Sequence, residues 1–175
     1  MEGDYERGIL LHRQFLIKEP ENTIAFYHLG YVYGIIGDHA SEIDYYEKAI
    51  RLGFRQKDSI FFNLGMAYGE LGQSQKAIDT FKEAIKINPQ NPDNHFGLAL
   101  AYLQTSNDAF AEKELLKAIS LDQLHVDARF NLALLYRKNG QRQQAKTQLE
   151  KILESEPAHS EAKDLLKQIE SELNN

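Results

Sequence analysis

The stretch that decides the fold is Asp58–Asn91, DSIFFNLGMAYGELGQSQKAIDTFKEAIKINPQN. Phe61, Leu64, Tyr68 and Leu71 recur at the three-and-four spacing of a helix with one apolar stripe, and Gly72 then ends that helix. Ile78, Phe81, Ala84 and Ile85 form a second stripe of the same kind. Gly65 and Ala77 are small where the two helices are expected to cross, which lets the backbones approach closely. Pro89 lacks an amide hydrogen and its ring clashes with the preceding turn, so the second helix cannot run past it. The stretch reads as a helix hairpin.

The same pattern returns along the chain. A shift of 34 residues brings Leu98, Ala99, Tyr102, Ala111, Leu115 and Ala118 onto Leu64, Gly65, Tyr68, Ala77, Phe81 and Ala84. A second shift of 34 gives Leu132, Ala133, Tyr136, Gly140, Ala145, Leu149, Ile152 and Pro157, and a step of 35 backward gives Phe26, Leu29, Gly30, Tyr33, Gly37, Tyr46 and Ala49. Units therefore begin at Thr23, Asp58, Pro92 and Val126. Paired helices at this period, with Leu-Gly, Tyr, Ala, Phe, Ala and Pro at fixed places, resemble the tetratricopeptide repeat (TPR) family. The resemblance implies an all-α, right-handed superhelical solenoid of antiparallel hairpins. It divides one domain, 1–175, into a half repeat at 1–22, repeats at 23–57, 58–91, 92–125 and 126–159, and a capping helix at 160–175.

Composition narrows the class further. The chain has 175 residues, 42 % of them apolar, and no cysteine, so it suits one solenoid with no disulfide framework. No apolar run reaches bilayer length and no secretory signal is expected, so direct membrane insertion is excluded and a cytoplasmic location is expected, with an upstream signal or anchor left open. A net charge of −6, spread as mixed acids and bases, argues against nucleic acid, because phosphate binding needs a basic stripe.

Several places depart from the pattern. Residues 3–22 align with a second helix whose first helix is missing; Gly3 falls on Gly72, Ile9 on Ile78 and Pro20 on Pro89. Leu10 and Leu11 stand where other units are mostly polar, while Phe15, beside them, falls on Ala84. Either the chain is a piece of a longer array, or these three residues form a self-association surface and the protein is a homo-oligomer. Glu42 occupies the small-residue place held by Ala77, Ala111 and Ala145, which predicts looser packing in the first hairpin. Phe54 and Gln123 replace the closing proline, and Ser106 replaces the turn glycine. Ala162, Leu165, Leu166 and Ile169 give the last helix one apolar side and one charged side, as a solvating cap needs.

The family resemblance implies that first helices line a concave groove, and that the second, fifth, sixth, ninth, twelfth and thirteenth residues of each unit face it. The fifth places hold Tyr27, Phe62, Phe96 and Phe130; the sixth hold His28, Asn63, Gly97 and Asn131; the ninth hold Tyr31, Met66, Leu100 and Leu134. The ninth places are apolar or aromatic in all four units, and a contiguous apolar band on an open face is what an interaction site looks like. Asn63 and Asn131 are expected to fix the register of a bound peptide. One subgroup of the family grips chaperone carboxylates with lysine, arginine and asparagine. That clamp is absent here, since Tyr27 and Phe62 stand where a lysine is useful and Asp93 and Asp127 repel a carboxylate. Arg137 and Lys138 are read as a solvated helix end, and Gly34 and Gly69 as room for a ligand or neighbour.

Chemistry of other kinds finds no carrier. The sequence has no serine elbow, no phosphate-binding glycine loop and no His-Glu-x-x-His pattern, so no catalytic residue, cofactor or metal is expected. His125 and His159 mark a matching loop place and not a metal site. The expectation is a non-catalytic scaffold that binds a protein or peptide segment in its groove, with self-assembly as the alternative.

Overall fold

The computed structural model describes residues 2–173, with side chains from Asp4 onward. Met1, Asn174 and Asn175, at the ends of the expected ranges 1–22 and 160–175, lie outside the described residues. Among the described residues the chain is helical throughout: α1 (Glu2–Lys18), α2 (Thr23–Ile35), α3 (His39–Arg51), α4 (Asp58–Glu70), α5 (Ser74–Ile87), α6 (Pro92–Gln104), α7 (Asp108–Leu121), α8 (Val126–Lys138), α9 (Arg142–Ser155) and α10 (Ser160–Leu173). Two compact units divide it, Met1–Pro89 with α1 to α5 and Gln90–Asn175 with α6 to α10.

Each hairpin closes in the same way. The carbonyls of Tyr33, Tyr68, Tyr102 and Tyr136 accept the amides of Asp38, Gln73, Asn107 and Gln141 at 3.0, 2.8, 2.9 and 2.8 Å, the bond that seals a helix end in the Schellman arrangement. That closure requires a left-handed residue one place earlier. Gly72 supplies it at φ +67°, and Ser106, in the hairpin without a turn glycine, adopts φ +57°. The missing proline after α7 is likewise covered, because the Asp122 carboxylate accepts the Leu124 amide at 2.9 Å and turns the chain.

The helix crossings show which side chains need the small residues. A Cβ on Gly30 would lie 2.6 Å from the Tyr46 ring, and one on Gly65 would lie 2.9 Å from the Phe81 ring. The glycines thus make room for the aromatic at the centre of the following helix; Ala77, fully buried, does not carry the crossing alone. Leu71 stands apart from the stripe expected for it, as an exposed residue just beyond α4. Gly3, aligned with a turn glycine, lies within α1.

Glu42 does not open a gap in the first hairpin. It is buried, and a Cβ on Gly34 would stand 2.5 Å from its carboxylate, so a glycine on α2 offsets a large side chain on α3. Tyr45 fills the remaining width by stacking on Tyr33 (5.2 Å between ring centres) and Phe26 (6.3 Å). Phe54 stacks on Tyr27 at 5.1 Å and closes this hairpin where a proline closes others.

In the second unit, Leu115, Leu132, Leu149 and Ile152 share one core with Ala162, Leu165 and Ile169 of α10. Burial of a side chain the size of Leu165 or Ile169 stabilises by about 2 kcal/mol. Polar ties fix the same helix from outside: Arg137 and Arg142 both donate to Glu172, at 2.9 and 3.1 Å, and Lys146 donates to Glu170 at 2.7 Å.

Candidate functional site

In the first unit α2 and α4 lie side by side, with α3 packed behind them. An open cleft of about 290 Å³ runs between them. Tyr31, Asn63 and Met66, three of the expected groove residues, line it together with Glu42, Tyr46 and Glu70. Tyr31 is 52 % exposed, while Met66 is half-buried. Asn63 has a structural partner, since its Nδ2 donates to the Tyr46 hydroxyl at 3.2 Å. Burial pushes that hydroxyl to a pKa above the ordinary tyrosine value and keeps it a neutral acceptor.

The charge around this cleft is one-sided. α2 and α4 carry no lysine or arginine; their ionised side chains are Asp58 and Glu70 alone. Burial raises the Glu42 carboxyl pKa, and the Glu70 charge pushes it the same way against the opposing bond from His39. His39 Nδ1 donates to Glu42 Oε2 at 2.8 Å, and among the described residues no hydrogen bond reaches Oε1.

The fifth-place aromatics lean on their own scaffold. Tyr27 packs on Phe54 and Tyr46, Phe62 meets Phe81 edge-on at 5.8 Å, Phe96 packs on His125 at 5.0 Å and Phe130 stacks on His159 at 5.8 Å. Those histidines cap helices: Nδ1 of His125 accepts the Ala128 amide and Nδ1 of His159 accepts the Ala162 amide, each at 3.3 Å. Accepting through Nδ1 leaves the ring proton on Nε2, and His125 Nε2 lies 3.5 Å from the Asp93 carboxylate.

In the second unit, Leu134 is 42 % exposed and Leu100 half-buried. Asn131 is engaged within its own helix, donating to the Asp127 carbonyl at 2.9 Å. Arg137 and Lys138 are not a free helix end: Arg137 holds Glu172 of α10, and Lys138 holds Asp108 of α7 at 2.6 Å.

His28 does not join the cleft. His12 Nδ1 donates to the Gly8 carbonyl at 2.9 Å, so His12 Nε2 accepts from His28 Nδ1 at 3.3 Å, and His28 faces α1. Beside this pair Leu11 and Phe15 line an apolar hollow of about 420 Å³ with Ile24 and Ala25 of α2; Leu10, 55 % exposed, lies outside it. Ile17, 82 % exposed, adds apolar surface to α1 that the repeat alignment did not single out. Sequence reasoning also missed Glu42 and Glu70 as cleft residues. The signal was present, because Glu42 breaks a small-residue place and Gly34 stands opposite it.

Among the described residues no group of three or more histidine, aspartate or glutamate side chains could hold a metal ion, and no helix is long and apolar enough to cross a membrane.

Family models described as tetratricopeptide repeat match residues 24–52 and 111–169, and one described as TPR repeat matches 65–106. The chain belongs to the tetratricopeptide repeat family. Its fold is the all-α TPR solenoid, and solved structures agree. MamA superposes with a TM-score of 0.84 at 26 % identity, over 91 % of this chain and 93 % of MamA. YrrB, a TPR protein with an unusual peptide-binding site, gives 0.81 at 23 % identity, over 94 % of this chain and 84 % of YrrB. The first TPR of Spaghetti (RPAP3), bound to the HSP90 peptide SRMEEVD, gives 0.66 at 27 % identity, over 69 % of this chain and 98 % of that one. No curated protein sequence matches the chain.

Proposed function

We propose that residues 1–175 act as one non-catalytic TPR scaffold, in the repeats read from the sequence, and that a partner's amphipathic helix or extended peptide docks along its first helices. The observation that carries this reading is the open cleft of the first unit, where an exposed Tyr31 and a half-buried Met66 face solvent from neighbouring helices. In the first unit Phe62 backs the contact surface and Met66 supplies apolar contact; in the second Phe96 and Phe130 back it and Leu100 and Leu134 supply the contact. Asn63 and Asn131 each place one amide hydrogen within the scaffold, and the second hydrogen and the oxygen of each amide fix a ligand's register. Removal of about 400 Å² of apolar surface from water at roughly 25 cal/mol per Å² gives a gross gain of about 10 kcal/mol. Association and ordering offset much of it, so affinity in the micromolar range is expected. The complex of the Spaghetti TPR with a peptide supports the class of ligand.

The test is a titration of peptides selected from a random display library on the full chain. Met66→Lys and Leu100→Glu each place a charge on the contact surface and are expected to weaken binding at least about tenfold. Unchanged affinity for both variants removes the groove from consideration.

A second reading has its own observation. Leu11, Phe15 and Ile24 surround an unfilled apolar hollow at α1, and another copy of the chain could cover it, which makes the protein an assembly module.

A further inference from the structure

The cleft of the first unit has a chemical preference beyond greasiness. Its floor holds Glu42, only 6 % exposed, with one carboxylate oxygen bonded to His39 and the other bonded to nothing among the described residues. Its rim holds Glu70, and its wall holds the exposed ring of Tyr31. A buried carboxylate with a second carboxylate close enough to oppose its ionisation is costly when empty, and a cation is the group that relieves both. Neither of the two helices that frame the cleft brings a lysine or arginine of its own.

We propose that this cleft is a specificity pocket for an arginine side chain presented by the docked peptide, with apolar residues on either side of that arginine. The inference rests on the groove reading above and names the ligand's decisive residue. A guanidinium is planar and carries five donors, so it can lie on the Tyr31 ring and reach Glu70 and the free oxygen of Glu42 together. The missing side chain of Gly34 keeps the approach to that oxygen open, because a Cβ there would stand 2.5 Å from it. The preference is opposite to that of a site for an acidic tail such as SRMEEVD, which three carboxylate side chains would drive away from Glu42 and Glu70.

Random peptides displayed on phage are selected on the full chain, and the enriched sequences are remade with the arginine replaced by citrulline, which keeps the shape and removes the charge. Fluorescence anisotropy then compares both forms on wild type, Glu70→Gln, Glu42→Gln and Met66→Lys, with circular dichroism to check folding. Glu70 is exposed, so its variant keeps the fold even if Glu42→Gln does not. Enrichment of arginine between apolar residues is expected. Citrulline should weaken binding about tenfold, and Glu70→Gln should shrink that gap to about twofold. Enriched peptides without arginine, or equal binding of both forms while Met66→Lys still abolishes it, overturns the arginine pocket and leaves the groove standing. Binding indifferent to Met66→Lys as well, or no enrichment at all, overturns both.

Discussion

Gly30 and Tyr46 meet where α2 crosses α3, and the ring lies against backbone with no side chain between. Gly30→Ala drives a methyl group to 2.6 Å from a fully buried ring, which cannot swing into solvent. The expected loss is about 1–3 kcal/mol in urea denaturation. Gly8→Ala in α1 is the matching control: nothing lies within 4 Å of the new methyl, so it should gain up to about 1 kcal/mol through helix propensity. The need for a small residue at Gly30 and Gly65 was legible from the repeat, but its partner was not. Spacing along one helix says which face is crowded and nothing about which ring of the next helix fills it. For the same reason Glu42 read as a packing defect, although Gly34 opposite it had already made the space.

At the scale of an element, helix starts are where the sequence was easiest to read and the capping chemistry hardest. α2, α4, α6 and α8 begin at Thr23, Asp58, Pro92 and Val126, because apolar periodicity and turn residues change together there. Asn22 caps α2 and Asn91 caps α6 with side-chain oxygens, as expected of asparagine. His125 and His159 do the same work with a ring nitrogen, which residue preference does not anticipate; only their matching places hinted at a shared task. His159→Ala removes the cap of α10 and the stacking surface of Phe130 together. It should cost about 1 kcal/mol in thermal denaturation, with faster amide exchange in the first turn of α10, while His159→Asn should restore most of the loss. An unchanged melting curve and exchange pattern for His159→Ala would show that the α9 contacts and the ties to Glu170 and Glu172 hold the helix unaided.

For the whole molecule, the period carried nearly all the legible information. Four matching hairpins fix helix number, order and direction, whereas the ends, which have no second copy to compare with, were read only by analogy. α10 follows the analogy, because Ala162, Leu165 and Ile169 are buried and the opposite face is charged. α1 follows it only in part. Arg13 donates to the Tyr33 hydroxyl at 2.7 Å and His12 pairs with His28, so polar contacts hold the helix on α2. Its apolar residues then lie on more than one side, and Leu10, Leu11, Phe15 and Ile17 remain exposed. An uncovered apolar face either meets solvent at a cost or meets another surface, and self-association is the form of that contact a purified sample can reveal. If copies of this chain cover α1, light scattering of wild type should show a mass that rises with concentration, and Leu10→Glu with Leu11→Glu should return it to the monomer. The double change adds two negative charges per chain to a protein already at −6, so like-charge repulsion acts in the same direction as the lost apolar contact. Leu10→Gln with Leu11→Gln separates the two causes, since it removes the apolar contact alone. A wild type that stays monomeric at the highest concentration measured ends the assembly reading.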